Sequence, residues 1–287
     1  MTVELGRYGV WRVEAGLGPE LASEIERLGF GAIWIGASPG AGLELAESML
    51  AATERIAVAT GVVNMWATSA EAVAESYHRI EDRYPGRFLL GVGIGHPEAT
   101  RRYRSPFGTI VDYLDRLDAA EVPVASRALA ALGPKVLRVA AERTAGAHPY
   151  LTTPEHTREA RELVGPGVLL APEHKLIIDE DAERARAQAR PVVRLYLGLV
   201  NYTTNLRRLG FDDDDLAGDG SDRLVDALVA HGDAAAVAAR LTEHLDAGAD
   251  HVCAQVLGEG DPAQTLQQLA SALGLTTSGQ RGAAAGR

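Results

Sequence analysis

The segment from Tyr84 to Glu98, with the sequence YPGRFLLGVGIGHPE, decides the fold of this chain. Its apolar run from Phe88 to Val92 is too short for a free-standing helix, and it is bounded by Pro-Gly before and by Gly-x-Gly-His-Pro after. A short, continuously apolar run predicts a strand buried on both faces, which is typical of a parallel sheet. Gly91, Gly93 and Gly95 remove side chains where the strand ends, so another group can lie close to that backbone. A tight turn after a strand would give the same pattern.

Length and composition exclude several classes of protein. The 287 residues suit either two domains or one (β/α)8 barrel, which typically needs about 250 residues. A net charge of −11 argues against binding to nucleic acid or to an anionic membrane surface. The chain has one cysteine, Cys253, which excludes an internal disulfide and a cysteine-based metal cluster. The sequence shows neither an apolar run of membrane-spanning length nor a signal pattern, and we therefore expect a cytoplasmic location.

The rest of the chain alternates between predicted strands and predicted helices. The predicted strands begin near Leu5, Ala32, Ile56, Phe88, Pro123, Gly146, Val168 and Asp250, and the seventh of them is interrupted around Pro172. Strands that alternate with helices imply parallel pairing with right-handed crossovers. Eight such units in about 270 residues predict a closed (β/α)8 TIM barrel rather than an open sheet.

The stretch from about 201 to 230 does not fit this repeat, and we interpret it as a helical segment inserted before the last strand–helix unit. Its acidic run from Asp212 to Asp215 is predicted to be a solvated surface, because adjacent acidic side chains do not converge on one metal ion. We expect residues 1–275 to form a single domain. Residues 276–287 are small and polar and are expected to form a flexible tail.

The active site of a (β/α)8 barrel lies at the C-terminal ends of its strands, and this rule selects candidate residues. Those that follow the predicted strands are Trp11, Ser38, Asn64, Trp66, His96, Glu98, Gly133, His148, Glu173 and His174. Trp11, Trp66 and Tyr150 could wall a pocket for a flat ligand, although single aromatic residues at strand ends often serve packing alone. Each histidine could equally be a core or capping residue. No histidine pair has metal-ligand spacing, so we predict no metal.

Two features near the predicted barrel mouth could hold an anionic group. Three arginines follow the fourth strand, at Arg101, Arg102 and Arg104, although a solvated loop would have the same composition. Gly133 and Pro134 begin a predicted helix, and the free N–H groups and dipole of a helix N-terminus favour a phosphate.

Several phrases of the sequence resemble the bacterial luciferase-like superfamily. The phrase from Pro85 to His96 is similar to the strand-four signature of that family. Further phrases agree in order and spacing, and they begin at Gly29, Ile56, Ala131, Ala145 and Asn201. The similarity covers nearly all of the chain from Leu5 to Leu273, and it is closest to actinobacterial oxidoreductases that use the deazaflavin coenzyme F420.

This resemblance implies a cofactor at the barrel mouth. In the family, a non-prolyl cis peptide at the end of strand three supports the deazaflavin ring, and the matching bond here is Gly61–Val62. The resemblance thus implies a cofactor site of Gly61, Val62, Gly93, Ile94, Gly95, Gly133 and His148. The strand-end rule adds Asn64 to the cofactor site and predicts a substrate pocket of Trp11, Ser38 and Trp66. It also implies a homodimer that acts on a small organic molecule.

The chain departs from those relatives that oxidise alcohols or sugar phosphates. Such enzymes usually have an acid after strand two, where this chain has Gly36, Ala37 and Ser38. His96 stands where a carboxylate often follows the strand-four glycines. Because histidine ordinarily titrates near pH ~6.5, His96 is the predicted proton donor that accompanies hydride transfer. Three functions stay open: an F420-dependent oxidoreductase, an FMN-dependent monooxygenase of the same fold, and a cofactor-binding relative without catalysis.

Overall fold

A computed structural model describes residues 3–95, 105–258 and 260–275 of the chain. Several sequence predictions lie outside these described residues. They are the proton donor His96, the acid Glu98, the arginines Arg101, Arg102 and Arg104, and the tail at 276–287.

Eight parallel strands form a closed ring, which confirms the predicted (β/α)8 barrel. They are β1 (Tyr8–Val13), β2 (Ala32–Gly36), β3 (Ala57–Gly61) with its continuation β4 (Val63–Asn64), β5 (Phe88–Gly93), β6 (Arg127–Leu129), β7 (Gly146–Ala147), the interrupted seventh strand β8 (Leu169–Leu170) and β9 (Glu173–Ile178), and β11 (Val252–Val256). Each strand pairs in parallel with the next. β11 pairs with both β9 and β1 and so closes the ring.

Helices cover the outside of this ring. They are α1 (Pro19–Arg27), α2 (Glu44–Ala51), α3 (Ala70–Arg83), α4 (Pro106–Ala119), α5 (Pro134–Arg143), α6 (Pro154–Val164), α7 (Ala182–Leu197), α8 (Val200–Arg208), α9 (Asp213–Leu216), α10 (Asp222–Leu228), α11 (Ala234–Asp246) and α12 (Pro262–Ala272). All residues of β2 and β5 are buried, because helices pack on one face of these strands and the barrel interior lies on the other.

The predicted insertion is present before the last strand. Helices α8, α9 and α10 follow α7 directly and are joined to the barrel by an extra strand, β10 (Val229–Gly232), which pairs in parallel with β9. In its acidic run, the Asp212 and Asp215 side chains each accept the other's backbone N–H in a capping box. Asp215 is 7% exposed and forms an ion pair with Arg223, so the prediction of a wholly solvated run is wrong at this residue.

The sequence patterns misplaced some element boundaries. The strand predicted to begin near Pro123 begins instead at Arg127, because Val124–Ser126 form a 3-10 turn, and β6 contains three residues. The strand predicted to begin near Gly146 contains two residues. The helix α11 and the strand β10 were not predicted. Asp233 caps α11 by accepting the backbone N–H of Ala236 over 2.7 Å, which is the signal that could have located the helix.

Candidate active site

The third strand of the barrel contains a bulge at its C-terminal end. Ala59 pairs with Leu89, and Val63 pairs with Val92, so four steps along strand three face three steps along β5. One extra residue on one strand is the definition of a β-bulge, and bulges are frequent beside active sites.

Gly91 and Gly93 of β5 make room for this bulge. A Cβ atom on Gly91 would lie 1.9 Å from the backbone oxygen of Thr60, and a Cβ atom on Gly93 would lie 2.5 Å from a methyl group of Val62. The Thr60 hydroxyl also donates a hydrogen bond to the Gly91 carbonyl over 2.7 Å. At these two positions, the close approach that glycine permits is therefore between neighbouring strands.

Trp11 of β1 covers the backbone at the bulge. The Gly61–Val62 peptide bond is cis, as the resemblance implied. The Trp11 Nε1–H group donates a hydrogen bond of 3.2 Å to the Gly61 carbonyl. The Trp11 ring also lies 5.1 Å from the ring of Tyr150, centroid to centroid. Trp11 and Tyr150 together form what we call the aromatic floor of the barrel mouth.

Two neutral histidines lie in the barrel interior and differ in one respect. His148 stacks on Trp34 with 4.1 Å between ring centroids, and its Nδ1–H donates to the Ala171 carbonyl over 2.7 Å. His251 donates from Nδ1 to the Gly6 carbonyl and accepts at Nε2 from Trp34. The Nε2 atom of His148, in contrast, is buried and has no hydrogen-bond partner among the described residues.

Burial lowers the pKa of His148 to about 4, so the ring is neutral near pH 7. With its proton on Nδ1, the ring presents a lone pair at Nε2. That atom would lie 3.2 Å from a Cβ atom on Gly61, which places it directly beside the bulge. A buried acceptor without a partner is unusual in a folded protein, and it fits a site that receives a donor from a ligand or water.

A buried ion pair lies on the opposite wall of the mouth. Lys175 Nζ is 3.1 and 3.0 Å from the two carboxylate oxygens of Glu173, and both side chains are fully buried. Burial raises the pKa of Glu173 and lowers that of Lys175, while the charge of each partner opposes the other's shift. The Lys175 ammonium group also lies 3.8 Å from the centre of the Tyr150 ring.

The hydroxyl group of Tyr150 belongs to a hydrogen-bonded chain at the mouth. It lies 2.8 Å from the hydroxyl of Tyr196 on α7 and donates over 2.9 Å to Oε1 of Gln255 on β11. The ring of Tyr202 packs against Tyr196 at 5.1 Å. Burial raises the pKa of Tyr150, so its hydroxyl stays a hydrogen-bond donor at neutral pH.

The structure brings most of the predicted cofactor residues together. Gly61, Val62, Gly93 and His148 surround the bulge through the contacts described above. Asn64 lies next to Gly95, since a Cβ atom on Gly95 would be 2.7 Å from Asn64 Nδ2. Its Oδ1 accepts the backbone N–H of Trp66 over 2.9 Å. Ile94, the residue between these glycines, is partly buried against the main core.

Two predicted site residues stand apart from this cluster. Ser38 is exposed and has a positive φ of 57°. Gly133 is the N-cap of α5, and a Cβ atom there would meet no atom within 4 Å among the described residues. Open space in front of a helix N-terminus is compatible with the predicted phosphate site, but it does not identify a ligand.

Sequence reasoning missed three residues of the mouth, namely Lys175, Tyr196 and Gln255. A signal for Lys175 was present, because a lysine two residues after Glu173 in the same strand places both charges on the same face. For Tyr196 and Gln255, the contacts join residues far apart in the chain, and no local pattern indicates them.

Other features of the described residues lie outside this site. These residues contain no group of three or more His, Cys, Asp or Glu side chains that could hold a metal ion. No helix among them is long and apolar enough to cross a membrane. Two surface cavities, of about 540 and 520 Å³, lie away from the mouth, the first between α11 and α12 and the second at the N-terminal end of the barrel.

Part of the chain matches a known protein family. Residues 18–121 match the family model of the luciferase-like monooxygenases. The matched region runs from the start of α1 to just beyond α4 and includes the strand-three bulge. The resemblance predicted from the sequence is confirmed over this region. No curated protein matches the chain.

Solved structures of similar fold include enzymes with both kinds of cofactor. An F420-dependent secondary alcohol dehydrogenase with an F420–acetone adduct has a TM-score of 0.74 at 13% identity, covering 94% of this chain and 98% of its own. The F420-dependent tetrahydromethanopterin reductase of Methanopyrus kandleri has a TM-score of 0.69 at 15% identity, covering 93% and 98%. The FMN complex of 3,6-diketocamphane monooxygenase from Pseudomonas putida has a TM-score of 0.67 at 13% identity, covering 94% and 96%. At these identities the similarity shows the fold alone.

Proposed function

We propose that this protein is an oxidoreductase that holds the deazaflavin coenzyme F420 at the barrel mouth and transfers a hydride to or from a small organic molecule. The observation that carries the proposal is the unpartnered Nε2 atom of His148, which is buried directly beside the strand-three bulge. A flat ring with polar edges fits such a combination of aromatic surface and orphaned polar atom.

The residues of the mouth would bind and orient the cofactor and supply a proton. F420, when bound, supplies the hydride chemistry. Trp11, Tyr150 and the bulge would orient the ring, and the N-terminus of α5 at Gly133 would face its phosphate side. His96 is the proposed proton donor for the substrate.

The choice of F420 rests on the sequence phrases around Pro85–His96 and Asn201. An FMN-dependent monooxygenase is the second candidate, and the fold similarity to an FMN-bound monooxygenase supports it. In either case we propose a homodimer, which light scattering of the purified protein would check.

A difference-absorbance titration of the purified protein with each cofactor tests the proposal. We expect saturable binding of F420 and weaker or no binding of FMN. Saturable binding of FMN with no response to F420 would reject the first function in favour of the second. Binding of reduced F420 without oxidation by any member of a broad acceptor panel, together with an unchanged result for His96→Ala, would favour the non-catalytic alternative.

A further inference from the structure

Side chains from three adjacent strands meet at one level of the barrel mouth. Tyr150 follows β7, Lys175 lies on β9, and Gln255 lies on β11 directly opposite Lys175 in the strand register. The Tyr150 ring also contacts Trp11 of β1. These side chains therefore lie at the height of the aromatic floor, where a ligand of the mouth would rest.

The ion pair of Glu173 and Lys175 is not explained by stability. Two apolar residues of similar volume are often as stabilising as a fully buried ion pair, because removing both charges from water carries a large free-energy cost. A buried ion pair can instead hold neighbouring side chains in one conformation. The contacts of this pair show which side chain is held.

The ion pair fixes Tyr150 through its ring and through the backbone of the next residue. The Lys175 ammonium group lies 3.8 Å from the centre of the Tyr150 ring, and a desolvated cation is attracted to an aromatic face. Glu173 Oε2 accepts the backbone N–H of Leu151, the next residue, over 3.2 Å. Leu151 has a φ of 52°, in the left-handed region that non-glycine residues rarely adopt. Such conformations persist where surrounding contacts impose them.

Tyr150, once fixed, orients the amide of Gln255. The Tyr150 hydroxyl donates to Gln255 Oε1, which leaves the Nε2 group of the amide on the other side. This NH₂ group has no hydrogen-bond partner in the described part of the chain. It is also absent from the fully buried polar atoms that lack a partner, so its nitrogen is accessible at the surface of the mouth. A hydrogen-bond donor without a protein partner is thus presented at the aromatic floor.

We propose that Gln255 is a ligand-binding residue whose Nε2 group donates a hydrogen bond to a carbonyl oxygen of the ring bound in the mouth. Tyr150, Lys175 and Glu173 are positioning residues that hold its amide in this orientation. The inference rests on the proposed function, because it requires a flavin-type ring at the floor. It adds a binding contact from the eighth strand, on the side of the mouth opposite the bulge.

The experiment compares binding of oxidised F420 and FMN by the wild type and by variants. Gln255→Leu removes the amide. Gln255→Glu keeps an oxygen that accepts from Tyr150 but has no N–H group. Tyr150→Phe keeps the ring on Lys175 and removes only the hydroxyl. Gln268→Leu, on the exposed side of α12, is the matched control, and thermal unfolding checks that each variant folds.

We expect Gln255→Leu and Gln255→Glu to bind the cofactor that the wild type prefers roughly five- to tenfold more weakly, which is the effect of one lost hydrogen bond. The absorbance maximum of the bound ring should move in both variants. Tyr150→Phe should move it in the same direction by a smaller amount, and the control should match the wild type.

Two results would contradict the inference, and they can be told apart. If the wild type binds neither cofactor, the proposed function fails and this inference fails with it. If the wild type binds one and both folded Gln255 variants bind it within twofold with an unchanged spectrum, the proposed function stands and the role of Gln255 is wrong.

Discussion

At the scale of one residue, Gly91 shows that the Gly-x-Gly motif at the end of the fourth strand makes room for a neighbouring strand. The sequence indicated that another group lies close to this backbone, and that expectation is confirmed. The group is the Thr60 carbonyl of the neighbouring strand, since a Cβ atom on Gly91 would lie 1.9 Å from its oxygen. A single sequence cannot distinguish a ligand from a neighbouring strand, because both require the same missing side chain.

We predict that Gly91→Ala destabilises the protein by about 1–3 kcal/mol, the usual effect of forcing an extra carbon into a packed interior. The backbone of Thr60 is part of the bulge and cannot move away as a flexible side chain would. Urea unfolding measures the change. Gly40→Ala is the control, because a Cβ atom there meets nothing within 4 Å in the described part of the chain. Equal unfolding midpoints for the two variants would show that the bulge is not held tightly.

The position of His148 could be predicted from the sequence, but its contacts could not. The sequence placed it at the barrel mouth because it follows strand six. Its burial, its stacking on Trp34 and its free Nε2 atom depend on residues from other strands. These features follow from the closure of the ring, and no local pattern records them.

At the scale of elements, the seventh strand carries most of the unpredicted chemistry. The Pro-containing break was predicted, and β8 and β9 lie on either side of it. The charges of Glu173 and Lys175 lie on the interior face of β9, with His174 on the outer face bonded to His244 of α11. The alternation of a strand explains this separation. The sequence does not show that the two charges pair in a buried interior, because their burial depends on the closed barrel.

We predict that Lys175→Met destabilises the protein by about 3–5 kcal/mol, because Glu173 is then buried without a counter-charge. The double variant Glu173→Gln/Lys175→Met removes both charges and should regain most of that loss. Urea unfolding of the wild type and the two variants near pH 7 measures the difference. A double variant no more stable than the single one would contradict the view that the unpaired carboxylate causes the loss.

Element boundaries were less predictable than element order. The short strands β6 and β7 pair with their neighbours over only three and two residues, and this pairing joins residues far apart in the chain. The insertion was recognised because it interrupts a regular repeat. Its three helices could not be resolved from the sequence, since the capping box of Asp212 and Asp215 looked like a charged surface run.

At the scale of the whole molecule, buried histidines link stability to pH. Burial lowers the pKa of His148, His156 and His251 to about 4 and that of His244 to about 3, and it also lowers that of His174. An unfolded histidine titrates near ~6.5. Below that pH the unfolded chain binds protons that the folded protein does not, so the free energy of unfolding falls as the pH falls.

We therefore predict that the urea midpoint decreases steadily between pH 7 and pH 5, with each histidine contributing up to about 1.4 kcal/mol per pH unit. His156→Gln should show a shallower decrease, because it removes one of the buried groups that titrate on unfolding. Glutamine can still donate to the Leu132 carbonyl that His156 Nε2 contacts at 2.9 Å, so the variant should fold. A midpoint that does not change over this range would mean that these histidines are not held neutral by burial.

The central claim is that the mouth of this barrel is the binding site of a flat redox ring. A crystal structure of the protein grown or soaked with F420 tests it most directly. We predict that the tricyclic ring lies against Trp11 and Tyr150, with one edge at the Gly61–Val62 bulge and a carbonyl oxygen within hydrogen-bond distance of Gln255 Nε2. A ring bound elsewhere, with the aromatic floor covered by the protein's own side chains, would contradict the claim.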